Sequence, residues 1–123
     1  MSSGPGYAKH PEHSIETRPA KERVQVKVGG EVIADSTDAI ALYEAGRGPT
    51  WYLPRADVKM DRLERTTHRS HCPFKGDASY FTIKNAPRGE NAVWSYEQPI
   101  DEVRSISERL AFYPDRVDSI EAN

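Results

Sequence analysis

Hydrophobic and polar residues alternate along several short segments of the chain, which is the pattern of half-buried strands. In the clearest case, residues 24–28 read Val-Gln-Val-Lys-Val. Gly29-Gly30 follows and offers a two-residue turn that tolerates positive φ, and residues 31–34 return as a partner strand. The pattern predicts a β-hairpin over residues 24–34.

Further strands are predicted where β-branched and aromatic residues lie between Gly and Pro positions. These segments are residues 38–44, 51–53, 57–61, 78–84, 91–96 and 111–113. A capped helical turn is the alternative for the first of them. One short C-terminal helix is predicted to begin at Pro99, because Ile100, Val103, Ile106 and Leu110 fall near helical spacing. The expected fold class is therefore mainly β.

The chain has 123 residues, which is the size of one domain. Residues 1–22 contain few apolar side chains, and we interpret them as an extended N-terminal arm. Residues 23–123 are expected to form a single β domain.

Charge and cysteine content narrow the class of protein. The 17 basic and 19 acidic residues give a net charge of −2, which disfavours a general nucleic-acid binder. No apolar run is long enough to cross a membrane, and the first 13 residues lack the apolar stretch of a secretory signal. The single cysteine excludes an intramolecular disulfide and favours a reducing, cytoplasmic location.

The densest polar cluster spans residues 67–77 and is predicted to be a loop, where functional residues concentrate. Cys72 beside His71 could act as a nucleophile and base, although a buried structural thiol is the commoner role. Lys75 precedes Gly76 and, together with Arg55, could hold an anionic ligand. A solvated basic turn is the alternative for this lysine.

Metal binding is disfavoured by ligand number. His68, His71 and Cys72 are zinc-type ligands, but no second Cys or His pair follows them, and His10 and His13 lie in the expected arm. Asp57 and Asp61 would share one face of a strand and could hold Mg²⁺, although a solvated face is commoner. We predict no metal and no cofactor.

Nine of the eleven aromatic residues fall between Trp51 and Tyr113. Most are expected in the core, since aromatic side chains supply much of the buried area of a small domain. The others could line a cleft for a small planar ligand. The candidates for that cleft are Tyr52, Tyr80, Trp94, Tyr96 and Tyr113.

Five ordered motifs resemble the bacterial domain-of-unknown-function family 427. They are Gly-Gly-Glu-Val-Ile-Ala-Asp-Ser (29–36), Tyr-Leu-Pro-Arg-Ala-Asp-Val (52–58), His-Cys-Pro-Phe-Lys-Gly-Asp-Ala-Ser-Tyr (71–80), Asn-Ala-Val-Trp-Ser-Tyr (91–96) and Ala-Phe-Tyr-Pro-Asp-Arg-Val-Asp (111–118). The resemblance covers roughly residues 10–120. It implies a β-tent fold, in which antiparallel, barrel-like sheets lean together beside a short helix.

The same fold class includes zinc-stapled proteins, methionine sulfoxide reductases and domains with an aromatic ligand pocket. This chain departs from the zinc-stapled proteins because it lacks paired cysteines. The family is sometimes labelled nucleotidyltransferase-like. Such enzymes need clustered carboxylates for two Mg²⁺ ions and a Gly-Ser turn. Asp57 and Asp61 are a thin substitute for those carboxylates, and no Gly-Ser turn is present.

Two functions remain open at this point. In the first, His71, Cys72 and Lys75 form the floor of a site for an unknown small molecule, expected to be anionic. Arg55 would then be a further anchor and Tyr80, Trp94 and Tyr96 would be ligand-binding walls. In the second, the chain is a non-catalytic protein-interaction or scaffold module. Convergence of the polar cluster and the aromatic residues on one cleft would favour the first function. The sequence leaves open whether a reaction is catalysed and what the oligomeric state is.

Overall fold

Short antiparallel strands account for most of the structure, a computed structural model that describes residues 14–123. The strands are β1 (Ile15–Pro19), β2 (Val24–Val28), β3 (Glu31–Ser36), β4 (Ile40–Glu44), β5 (Arg47–Tyr52), β6 (Leu63–Cys72), β7 (Gly76–Ile83), β8 (Val93–Tyr96), β9 (Ala111–Phe112) and β10 (Ser119–Ala122). The prediction of a mainly β fold is confirmed.

The strands form three antiparallel sheets with the orders β1-β4-β5, β10-β2-β3 and β6-β7-β8-β9. Within residues 14–123, no sheet closes into a barrel. The predicted hairpin of residues 24–34 is confirmed as the pair β2–β3. Its turn residues Gly29 and Gly30 have φ values of 59° and 79°, which glycine adopts without a steric penalty.

The two faces of the four-stranded sheet contribute side chains to different core clusters. Side chains alternate along a strand, so Phe81 and Tyr80 of β7 point to opposite sides. Phe81 joins a core cluster with β2, β3 and Leu53, whereas Tyr80 joins a second cluster with Ile40, Leu42 and Tyr52 of the sheet β1-β4-β5. We call the second side the inner face of the four-stranded sheet, and the first side its outer face.

A bulge interrupts the pairing of β6 with β7. Arg65 lies opposite Phe81 and Arg69 lies opposite Ser79, so three residues of β6 face the single residue Tyr80. The register resumes after the bulge and continues to the end of the hairpin. The bulge brings the ring of His68 within 4.5 Å of the ring of Tyr80.

The strand predicted at residues 57–61 is wrong. The chain forms two 3-10 helices there, Arg55–Asp57 and Met60–Arg62. Val58 between them pairs with Ala34 through an isolated bridge, and its side chain is buried in the adjoining core cluster. Two apolar positions are too few to distinguish a strand from consecutive tight turns.

The loop predicted at residues 67–77 is also wrong. Residues up to Cys72 belong to β6, residues from Gly76 belong to β7, and only residues 73–75 form the turn. β6 is an edge strand whose residues 67–71 are all exposed. An edge strand that is exposed to solvent on both faces shows no alternation of polar and apolar residues. For that reason the sequence pattern predicted a loop here.

The predicted C-terminal helix is the 3-10 helix Asp101–Ile106, which buries Val103 and Ile106. A fourth 3-10 helix, Pro114–Arg116, separates β9 from β10, a strand that the sequence did not predict. Of the expected N-terminal arm, residues 15–19 form β1 and pair with β4. Residues 1–13 lie outside the described part. None of the described helices is long and apolar enough to span a membrane.

Candidate functional site

A cavity of about 160 Å³ lies between the sheet β1-β4-β5 and the inner face of the four-stranded sheet. We call it the central cavity. β7 and β8 place Tyr80 opposite Trp94 and Ala78 opposite Tyr96, so the three aromatic side chains share the inner face. The complete lining is Leu42, Glu44, Thr50, Tyr52, Lys75, Tyr80, Trp94, Tyr96 and Tyr113.

Lys75 is the buried cation of the central cavity and is only 9% exposed. The backbone fixes its position at the tip of the β6–β7 hairpin, because its N–H donates to the Cys72 carbonyl and its own carbonyl accepts from Ile100. Its Nζ atom lies 2.6 Å from Oε1 of Glu44 and 3.7 Å from Sγ of Cys72. A buried ammonium group requires such a partner, since an unpaired charge is costly to desolvate.

The tyrosine hydroxyl groups supply further hydrogen-bonding groups around the cavity. Trp94 Nε1 donates to the Tyr52 hydroxyl at 3.2 Å, and the hydroxyl groups of Tyr80 and Ser70 are 2.8 Å apart. Burial, followed by hydrogen bonding to Tyr80, raises the pKa of Tyr113 to about 12. Burial also raises the pKa of Tyr52 and of Tyr96. The phenols of Tyr52, Tyr96 and Tyr113 therefore stay neutral at physiological pH and remain hydrogen-bond donors.

Two grooves of about 370 Å³ each flank the central cavity, and each shares lining residues with it. One groove shares Tyr80 and Tyr113 with the cavity and reaches Arg116. The other shares Glu44 and Thr50 and reaches Arg47.

The outer face of the four-stranded sheet carries a separate, wider depression of about 720 Å³. His71 lies there with Nδ1 2.7 Å from Oδ1 of Asp77, and the two side chains are 63% and 82% exposed. Glu97 lines the same depression. Side chains this exposed lie in water, so the depression encloses a ligand far less than the central cavity does.

The structure brings together four of the residues that the sequence singled out for ligand binding. Lys75, Tyr80, Trp94 and Tyr96 all line the central cavity. Cys72 packs beside the same aromatic cluster. Their roles in binding stay predictions, but their convergence on one cleft is a property of the fold.

Two of the singled-out residues lie elsewhere. Neighbouring residues of a strand point to opposite faces, so His71 does not lie beside the Cys72 thiol; the polar group near that thiol is Lys75. Arg55 lies on the outer face, where Nη2 donates to Glu97 Oε2 at 3.0 Å and Nε donates to the Glu108 carbonyl at 2.7 Å. Arg55 and Lys75 therefore do not share a binding site.

Sequence reasoning missed Glu44, Leu42 and Thr50 as cavity residues. Glu44 ends a strand that otherwise reads as ordinary core, and its partner Lys75 is 31 residues away in the sequence. A pairing of this kind forms only in the folded chain, and no local sequence pattern predicts it. The central cavity thus depends on a residue that motif inspection cannot find.

Metal ligands are not grouped in the part of the chain that the structure describes. Among residues 14–123, no cluster of three or more His, Cys, Asp or Glu side chains could hold a metal ion. Asp57, which was considered for Mg²⁺, accepts a hydrogen bond from Ser36 at 2.7 Å and lies in a 3-10 helix. Its strand-face pairing with Asp61 does not exist.

Comparison with known proteins identifies the family without adding an activity. A search of curated proteins gives no match. The model of a family described as a domain of unknown function, DUF427, matches residues 16–123, which is nearly the whole chain. The protein therefore belongs to the DUF427 family.

Proposed function

We propose that this protein binds a polar, ring-containing small molecule in the central cavity. The observation that carries the proposal is convergence. Lys75 and Tyr80 of the β6–β7 hairpin and Trp94 and Tyr96 of β8 line one cavity together with residues of the facing sheet. A concave site with aromatic walls and a few inward polar groups is the usual form of a small-molecule site.

The chemistry of the cavity favours a role in ligand binding over a role in stabilising the fold. A lysine–glutamate pair inside an apolar cluster stabilises a fold little, because desolvation of the two charges offsets their attraction. The same pair offers a ligand a strong donor and a strong acceptor. The ring centroids of Trp94 and Tyr113 lie 4.5 Å apart, and the two rings offer flat surfaces against which a ligand ring can stack.

The charge of the ligand needs to be considered again in light of this geometry. The sequence predicts an anionic ligand held by Lys75 and Arg55. Arg55 lies on the outer face, and Glu44 already balances the charge of Lys75. The proposal therefore requires a polar ligand and does not require an anionic one. The single cysteine supports a cytoplasmic site of action.

The two tryptophans provide a direct binding test. Trp94 lines the central cavity, whereas Trp51 lies outside it and packs against the other core cluster. In a Trp51→Phe variant the remaining indole reports on the cavity, and in the matched Trp94→Phe variant it does not. Ligands should be sought by thermal shift in a library of single-ring amides, phenols, lactams and carboxylates.

Each ligand found should change the fluorescence of Trp51→Phe and leave that of Trp94→Phe nearly unchanged. The protein-interaction alternative predicts no saturable ligand in the whole library. If ligands bind but change only the fluorescence of Trp51, the site has been assigned to the wrong part of the molecule. Either result would remove the basis of the proposal.

A further inference from the structure

The charges of the central cavity are balanced within the cavity itself. Of the described side chains that line it, Lys75 and Glu44 are the charged ones, and they pair at 2.6 Å. The side chain of Lys75 is 11% exposed and that of Glu44 is 29% exposed, so solvent screens the pair only in part. The surrounding tyrosines contribute hydroxyl groups and no charge.

A balanced pair discriminates between ligands of different charge. A bound carboxylate would be attracted by Lys75 and repelled by Glu44, whose carboxylate is bound to the same ammonium group, and it would also lose its hydration. A neutral carbonyl oxygen can accept a hydrogen bond from Lys75 with a smaller desolvation penalty. A lysine ammonium has three N–H donors; Glu44 Oε1 takes one at 2.6 Å and Cys72 Sγ takes a second, weaker one at 3.7 Å.

The size of the cavity matches one ring. Its volume is about 160 Å³. A cavity of about 150 Å³ in another protein holds a benzene molecule. A single six-membered ring with a small polar substituent therefore fits, while anything larger must extend into the flanking grooves.

We propose that the central cavity selects uncharged single-ring ligands that carry a carbonyl group, such as aromatic amides, over the corresponding carboxylates. This inference rests on the proposed function and specifies its ligand class. Lys75 donates to the carbonyl oxygen, the aromatic residues stack on the ring, and Glu44 excludes a second negative charge.

Benzamide and benzoate form the test pair, because they have nearly the same shape and differ in charge at neutral pH. Titration of each into the labelled protein, followed by the backbone amide signals of Lys75 and Tyr80, gives two dissociation constants. Benzamide should bind at least about tenfold more tightly than benzoate. In Glu44→Gln the charge of Lys75 is no longer balanced, and the preference should reverse towards benzoate.

Asp77→Asn is the matched control. It removes one carboxylate from the outer face and changes the net charge of the protein by the same amount, so it should leave the wild-type preference unchanged. A reversal in both variants would mean that net charge alone sets the preference, and it would overturn the inference. Should Glu44→Gln fail to fold, the wild-type ratio still decides the question.

The outcomes separate the inference from the proposed function. Tighter binding of benzoate to the wild-type protein would overturn the inference and leave a small-molecule site in place. Equal binding of the two probes would overturn it as well. Binding of neither probe overturns the inference, and the proposed function fails too if no member of the wider library binds.

Discussion

Arg65 binds the carboxylate of Glu97 with both terminal nitrogens, with Nη2 2.6 Å from Oε2 and Nη1 3.2 Å from Oε1. Arg55 adds a third hydrogen bond at 3.0 Å, and the Ser79 hydroxyl adds a fourth at 3.1 Å. Glu97 thereby links β6, β7 and the 3-10 helix Arg55–Asp57 on the outer face. Arg55, predicted as a ligand anchor, is part of this ion-pair network.

The network makes stability depend on pH. Hydrogen bonding to Arg65, and then to Arg55 and Ser79, lowers the pKa of Glu97 to about 2. A lowered pKa stabilises the fold above the unfolded-state pKa near 4.5, and this stabilisation is lost as the pH falls towards 2. Glu97→Gln should therefore lower the free energy of unfolding at pH 7 by about 1 kcal/mol, a value discounted for solvent screening.

Urea unfolding of wild type and Glu97→Gln at a series of pH values measures this contribution. The difference between the two proteins should be constant above pH 4.5 and should vanish as the pH approaches 2. Glu64→Gln, at an exposed position of β6 next to Arg65, should change stability by less than about 0.5 kcal/mol. A Glu97 difference that persists at the lowest pH would contradict the assigned cause.

Gly89 should tolerate no side chain. A Cβ atom built there would lie 2.2 Å from the backbone oxygen of Ile83, which cannot move without disturbing β7. Gly89→Ala should therefore destabilise the protein by about 2–3 kcal/mol, as overpacking does. Gly46→Ala is the matched control, because Gly46 has φ +78° but nothing within 4 Å of the added atom. Gly46→Ala should lower the free energy of unfolding by only about 1 kcal/mol, through backbone strain. If urea unfolding shows the same decrease for both variants, the clash at Gly89 is disproved.

The Tyr52 hydroxyl should stabilise the cavity wall. Tyr52 is 1% exposed and accepts the hydrogen bond of Trp94 Nε1. Tyr52→Phe leaves a donor of the half-buried indole without this acceptor, which should cost about 1 kcal/mol. The half-buried Tyr43 lies outside the lining of the cavity, and Tyr43→Phe should be nearly neutral. Thermal unfolding compares the two variants; a neutral Tyr52→Phe would mean that water replaces the hydroxyl group.

Cys72 should react slowly with a thiol reagent in the native state. Its side chain is half-buried and packs against the core cluster of the inner face. Access should limit the reaction, so the native thiol should react at least about tenfold more slowly than the thiol of urea-unfolded protein. A native rate above the unfolded rate would instead support a nucleophilic role in which Lys75 favours the thiolate.

Folding should not require zinc. The prediction rests on the lone cysteine and on the missing second ligand pair in the sequence. Elemental analysis of the purified protein should give less than about one tenth of an equivalent of zinc, and a chelator should leave the unfolding temperature unchanged. Stoichiometric zinc, together with unfolding by chelator, would refute this expectation.

The sequence predicted the strands whose apolar residues face a core on one side, such as β2, because burial imposes strict alternation. The sequence pattern failed for β6, where residues 67–71 are exposed to solvent. It also failed at residues 57–61, where tight turns imitate a short alternation. Local patterns report burial, and they indicate secondary structure only where burial is one-sided.

The cavity was partly predictable for a related reason. Its aromatic members stand out by residue type, and Lys75 stands out beside Gly76. That Glu44 lines the cavity, and that Arg55 and His71 do not, depends instead on the sheet face that each residue occupies. That assignment depends on strand register and on long-range pairing, which a single sequence does not encode in any short segment.

The bulge in β6 separates chain length at residues 66–68 from the orientation of the residues that follow. The pairs His71–Asp77 and Cys72–Gly76 are set by the turn at residues 73–75, so loss of one residue among 66–68 would alter the bulge and leave Cys72 on the inner face. The position that would change is that of His68, whose ring packs against Tyr80. Among homologous chains, a difference of one residue in this segment would therefore mark a change beside Tyr80 and not an exchange of His71 and Cys72.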